Sequence, residues 1–117
     1  MAQSIRVQQY DKGIKVFFTI KIDGIIEPIN NARVFFKLKN TTTGLELIHE
    51  CTITDSEMGE CMYVFTDEDT KVVGSYITEV QTEFENGTRL SMDNPIVLDV
   101  TPQLIGGYGR SLLFVVA

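Results

Sequence analysis

The side chains best suited to chemistry in this sequence are His49, Cys51 and Cys61. His49 and Cys51 are two residues apart, which sets two side chains on one face of a strand. A thiol nucleophile beside an imidazole base is therefore one chemistry to weigh, but it needs the two groups held within hydrogen-bond reach. Proximity is all that the sequence offers, and a half-buried edge histidine with an ordinary polar partner is the simpler reading. Cys51 and Cys61 flank a turn at Asp55 through Gly59. Pairing Thr54 with Glu60 would set Ile53 opposite Cys61 and Cys51 opposite Tyr63. The sulfurs are then diagonal neighbours, poorly placed for a disulfide and better read as two buried apolar thiols. Zinc would need two further nitrogen or sulfur ligands, and a single histidine cannot complete the set.

The acidic run Asp67-Glu68-Asp69, with Asp55 and Glu57 elsewhere, offers carboxylates for calcium. It lacks the alternate-position ligands, central glycine and terminal glutamate of an EF-hand, so a solvated acidic loop is expected. Gly106-Gly107-Tyr108-Gly109 follows no βαβ unit and brings no phosphate-binding lysine; it reads as a hinge or bulged strand. Asn40-Thr41-Thr42 and Asn86-Gly87-Thr88 fit the glycosylation pattern but, with no secretory signal, read as turns. No two carboxylates sit where their surroundings would separate their pKa values for acid–base work. The expectation is a protein that is not an enzyme, with no catalytic, metal or cofactor-binding residues.

The elements that position these residues follow from composition and periodicity. A chain of 117 residues, 44% hydrophobic, fits one domain with one core. Sixteen acidic against ten basic side chains argue against a nucleic-acid binder, which needs a basic surface. No apolar run approaches the roughly 20 residues that span a bilayer. Met1 through Arg6 lack the layout of a secretory signal, so synthesis in a cytoplasm is expected. Valine, isoleucine and threonine are plentiful, and β-branched side chains suit a pleated surface.

Alternation agrees with strands. Ile14, Val16, Phe18, Ile20 and Ile22 form one series and Val34, Phe36 and Leu38 another. Leu45, Leu47, Cys51 and Ile53 share a parity, and Tyr63, Tyr76, Val80, Ile96, Leu98 and Val100 continue the pattern. Turn chemistry lies between them, at Asp23-Gly24, Asn40 through Gly44, Asp55 through Gly59 and Asn86-Gly87, the last suited to a type I′ hairpin. At most one helical turn is expected after Thr66, which would cap it. The fold class expected is all-β: a single antiparallel, immunoglobulin-like β-sandwich of about seven or eight strands over residues 1–102. Residues 103–117 form an apolar extension, ending in Leu112-Leu113-Phe114-Val115-Val116-Ala117, that must be buried as an extra strand or against another chain. Phe17 and Phe35 point outward by parity. With Leu104, Ile105, Leu112 and Phe114 they are the candidate subunit contacts.

The spaced residues resemble a known pattern. Tyr10-x-x-Gly13 precedes a long apolar strand; Asp23-Gly24 leads to Pro28-Ile29-Asn30-Asn31-Ala32 and Val34-x-Phe36. Cys51-x-Ile53-x-Asp55-x-x-x-Gly59, Tyr63-x-Phe65-Thr66, Asp67-x-Asp69-Thr70, Gly74-x-Tyr76, Glu79 and Asn86-Gly87 follow. Across roughly residues 5 to 100 this order resembles the N-terminal domain of the baseplate upper protein of phages that infect Gram-positive bacteria. The resemblance implies a β-sandwich in a phage tail that attaches a receptor-binding apparatus to the tail tip, with no catalytic residue. It implies a virion location and other tail or baseplate proteins as partners; the unburied apolar residues at 104–105 and 112–117 add the expectation of a homo-oligomer. Members of the family are usually followed by a helix and a larger portion; with this sequence ending at Ala117, a stand-alone virion protein and an excised domain both stay open. The alternative function is a carbohydrate- or ligand-binding adhesin domain, which would call for clustered exposed aromatics, and the sequence has no tryptophan.

Overall fold

The computed structural model describes residues 3–102 and 113–116. Among them there are eleven strands: β1 (Gln3–Gln8), β2 (Lys15–Thr19), β3 (Lys21–Ile22), β4 (Ile25–Ile26), β5 (Arg33–Asn40), β6 (Glu46–Glu50), β7 (Thr52–Asp55), β8 (Glu60–Val64), β9 (Gly74–Glu83), β10 (Arg89–Thr101) and β11 (Leu113–Val116). A five-stranded sheet runs β1-β10-β9-β5-β6 and a four-stranded sheet β11-β2-β8-β7, while β3 and β4 form a separate hairpin. Alternation decides which face each strand buries. Val34, Phe36 and Leu38 of β5, Tyr76 and Val80 of β9, and Ile96, Leu98 and Val100 of β10 supply one inner face; Val16 and Phe18 of β2 with Cys61 and Tyr63 of β8 supply the other. The layers meet through aromatic rings. Phe36 lies 5.1 Å from Phe18, 5.7 Å from Tyr63 and 5.9 Å from Phe65, centroid to centroid.

Three features depart from the sequence expectations. The domain is not wholly antiparallel: β1 pairs in parallel with β10, and β11 in parallel with β2. These partners lie far apart in the chain, where periodicity carries no signal for direction. The run from Leu45 to Ile53 is not one strand either. The chain leaves the five-stranded sheet after Glu50 and enters the four-stranded sheet at Thr52, turning at Cys51, whose N–H donates to the Val34 carbonyl at 2.7 Å. This split, with the short β3 and β4 and the added β11, raises the strand count above seven or eight. Finally, β2 stops at Thr19, and Ile22 is 40% exposed on the hairpin rather than buried with Ile20.

The turns show where residue choice is obligatory. Asp23 and Gly24 both have positive φ (52° and 79°), so the type I′ turn joins β3 to β4. The Asn86-Gly87 loop takes another form: only Gly87 is at positive φ, its N–H donates to Phe84 O, and Asn86 Oδ1 accepts from Thr88 N. No helix follows Thr66. Asp69 N–H donates to Thr66 O in a single turn, and the capping is reversed, with Asp69 Oδ2 accepting from Thr66 N at 2.9 Å.

Gly59 is the turn residue with least freedom. Its φ is +68°, and a Cβ there would stand 2.7 Å from Glu27 O and 2.9 Å from Ile20 O, the backbone at the root of the β3–β4 hairpin. Ile20 N also donates to Gly59 O. Gly59→Ala combines left-handed strain with a backbone collision that neither partner can rotate away from. It is expected to cost about 2 kcal/mol, read as a lower urea midpoint at unchanged slope; an unchanged midpoint would show that the hairpin root is free to shift.

Candidate functional site

The buried polar chemistry gathers where the edges of the two sheets meet. His49 lies on the inner face of the edge strand β6, opposite Phe36 of β5. Tyr63 comes from β8, and its ring stacks on the imidazole at 5.0 Å and 18°. Asp69, 1% exposed, comes from the turn that follows β8. Its Oδ2 accepts from the Tyr63 hydroxyl at 2.6 Å, from Thr66 N at 2.9 Å and from Thr66 Oγ1 at 3.2 Å. Its Oδ1 faces His49 Nε2 at 2.6 Å, off the N–H axis, so the contact is an ion pair when the imidazole is protonated rather than a linear hydrogen bond. Burial first, and then the bond to Asp69, push the Tyr63 phenol above its ordinary range, so it stays a donor.

His49 is thus half-buried with a polar partner, as its strand position implied. Asp69 has left the solvated acidic loop expected of it, while Asp67 and Glu68 remain exposed. Two-residue spacing pointed to Cys51 as the neighbour of His49; the carboxylate partner sits twenty positions downstream, and only the apposition of the two sheets brings it close.

The cysteines are both free and buried, with Ile53 opposite Cys61 across β7 and β8 as expected, although a bulge pairs Asp55 rather than Thr54 with Glu60. Contact between the two thiols raises Cys51 and lowers Cys61 relative to an ordinary cysteine. Asn40 is fully buried, its Oδ1 accepting from Thr42 N at 2.9 Å and Thr43 N at 3.0 Å, so it serves the turn. Thr78 Oγ1 donates to Ile96 O at 2.6 Å and accepts from Ile96 N at 3.3 Å beside the register break between Asp93 and Val97. Each of these groups satisfies backbone or holds two elements together.

Of the candidate contact residues, Phe17 and Phe35 lie on different sheets. Phe17, half-buried, faces outward from the four-stranded sheet, opposite Met62 on β8 and in register with Val115 on β11. Phe35, half-buried, faces outward from the five-stranded sheet beneath the Arg33 guanidinium, 5.0 Å from the ring centroid. The two rings therefore lie on opposite outer faces and form no common patch. Phe114 falls in β11, paired with Val16; Leu104, Ile105 and Leu112 lie outside the described residues. Sequence reading missed the exposed isoleucines of the hairpin, Ile22, Ile25 (71% exposed) and Ile26, although Asp23-Gly24 marked the turn between them. It also missed Ile48 and Ile77, which line a shallow outer groove with the Lys37–Glu79 and Lys39–Glu46 ion pairs.

Arg33 also holds Glu50 through Nη2–Oε1 at 2.8 Å and Nε–Oε2 at 3.3 Å, across the edge pair β5–β6. That hydrogen bonding holds the Glu50 carboxyl below its ordinary value. A carboxylate lowered by folding stabilises above its unfolded pKa and loses that contribution as pH falls through its folded value. Glu50→Gln is therefore expected to lose less stability than the parent between about pH 5 and 3, followed by urea melts; parallel acid profiles would show that the pair contributes nothing.

Among the described residues the chain is a two-layer β domain whose buried polar groups pair with its own backbone and side chains. Residues 1–102 match the BppU N-terminal domain, and the chain belongs to that family. It is accordingly a baseplate upper protein domain, a structural domain of the phage baseplate and so a component of the virion. No curated protein matches the chain.

Proposed function

We propose that the chain is a non-enzymatic assembly module that fastens a receptor-binding apparatus to the phage tail tip, working as a homo-oligomer among other baseplate proteins. The observation that carries this reading is the family match over residues 1–102. The reading is supported by the polar groups at the sheet edge, among the described residues, being taken up with one another and the framework: Asp69 Oδ2 by Tyr63 and Thr66, and Asp69 Oδ1 by the ion-pair contact with His49. Residues 1–102 act as the folded body and 103–117 as the apolar extension. Leu104, Ile105, Leu112, Phe114, Phe17 and Phe35 are the chain's subunit contacts. The protein is made in the host cytoplasm and ends in the particle. An antibody against the chain, applied to intact virions under the electron microscope, is expected to label the tail tip. Label confined to the capsid, or present only in lysates of infected cells, would contradict the reading.

A further inference from the structure

The outer edge of β2 takes a parallel strand. Leu113, Phe114, Val115 and Val116 pair in register with Lys15, Val16, Phe17 and Phe18, and among the described residues β2 is the strand to which β11 is hydrogen-bonded. Two further facts bear on this slot. β11 lies outside residues 1–102, so the family domain ends without it and leaves β2 as an open apolar edge, which invites pairing with another strand. A chain of the length of residues 102–112 can reach at most roughly 40 Å when fully extended, more than the 27 Å and 23 Å extents and less than the 46 Å long axis. It is long enough to deliver β11 to a neighbour.

We propose that the β2 edge is a strand-exchange site whose second occupant is residues 113–116 of another copy of this chain. Pairing within one chain and pairing between copies make the same backbone hydrogen bonds, so exchange gives up no ladder energy, and concentration decides between them. A tether of this length holds β11 near its own slot at an effective concentration of order millimolar. Isolated chains therefore keep their own strand, and copies crowded side by side exchange it. The crowding rests on the assembly reading above; the exchange itself is tested on purified protein.

The test uses full chains carrying Lys15→Cys or Leu113→Cys, positions in register across the β2–β11 pair and close enough for a disulfide. Both are expected to fold, since Lys15 is exposed and Leu113 lies beyond the family domain. Glutathione disulfide is the oxidant: one thiol attacks it, releasing one reduced glutathione and leaving a mixed disulfide, and the second thiol displaces the other reduced glutathione as the protein disulfide forms. With both substitutions in one chain, dilute protein is expected to give an internally bridged monomer. Mixing the two single variants is expected to give a covalent heterodimer that rises as the protein approaches millimolar. It should exceed that from Arg6→Cys mixed with Leu113→Cys, because Arg6 pairs with Asp99 of β10 and not with β11. Equal yields from the two mixtures would overturn exchange, as would failure of the double variant to bridge at all. Loss of tail-tip label would remove the assembly reading and leave the cross-link standing; loss of the cross-link alone would do the reverse.

Discussion

Replacing Phe36 by alanine is expected to destabilise the domain by about 4 kcal/mol, through lost burial and the cavity left behind. Phe36 is fully buried and is the ring that Phe18, Tyr63 and Phe65 all contact, so its loss opens a gap between the two layers rather than at a rim. Strands in both sheets are pinned by backbone ladders and cannot collapse far into such a gap. For a domain near 100 residues that cost lowers the melting temperature by roughly 15–30 °C, a large part of the 5–15 kcal/mol that holds a typical domain folded. Phe36→Leu keeps most of the volume and is expected to lose less than half as much. Thermal melts by circular dichroism check both; a loss under about 1 kcal/mol for alanine would show that the layers close up.

Asp69→Ala is the second large effect, expected at about 3 kcal/mol. The substitution takes the acceptor from the Tyr63 hydroxyl and from Thr66 N–H, and removes the charge facing His49. The His49 side chain is 33% exposed, but its Nε2 is buried, and the Tyr63 hydroxyl is likewise held at the buried carboxylate. The cost therefore falls mainly on the unsatisfied donors. Asp69→Asn keeps an oxygen acceptor and is expected to lose roughly half as much. A double-mutant cycle with His49→Asn isolates the ion-pair contribution, expected at about 1 kcal/mol. Strict additivity would mean that His49 and Asp69 are neighbours without coupling.

These residues show how far the sequence could be read. The inner faces of β5 and β9 were legible because one face is buried along nearly their whole length and the side chains report it with period two. The crossing at Cys51 was invisible for the same reason. Cys51 stays buried while the chain changes sheets, so the parity from Leu47 to Ile53 continues although the strand does not. Ile22 was misplaced because the alternation through Ile20 continues into a hairpin that has left the core. The His49–Asp69 contact and the parallel pairs β1–β10 and β2–β11 join segments distant in sequence, where no local propensity specifies the partner. The family pattern identified the domain through turn and core residues, such as Gly59 and Tyr76, which fix geometry and say nothing about contact surfaces.

The most direct test of the account is to end the chain at Pro102 and measure solution mass by light scattering over a concentration series, beside a thermal melt. The full chain is expected to rise above its 13.2 kDa monomer mass with concentration, while the shortened chain stays monomeric and melts as one cooperative domain. A shortened chain that fails to fold, or that associates as strongly as the full one, would contradict the assignment of folding to residues 1–102 and of assembly to the segment beyond them.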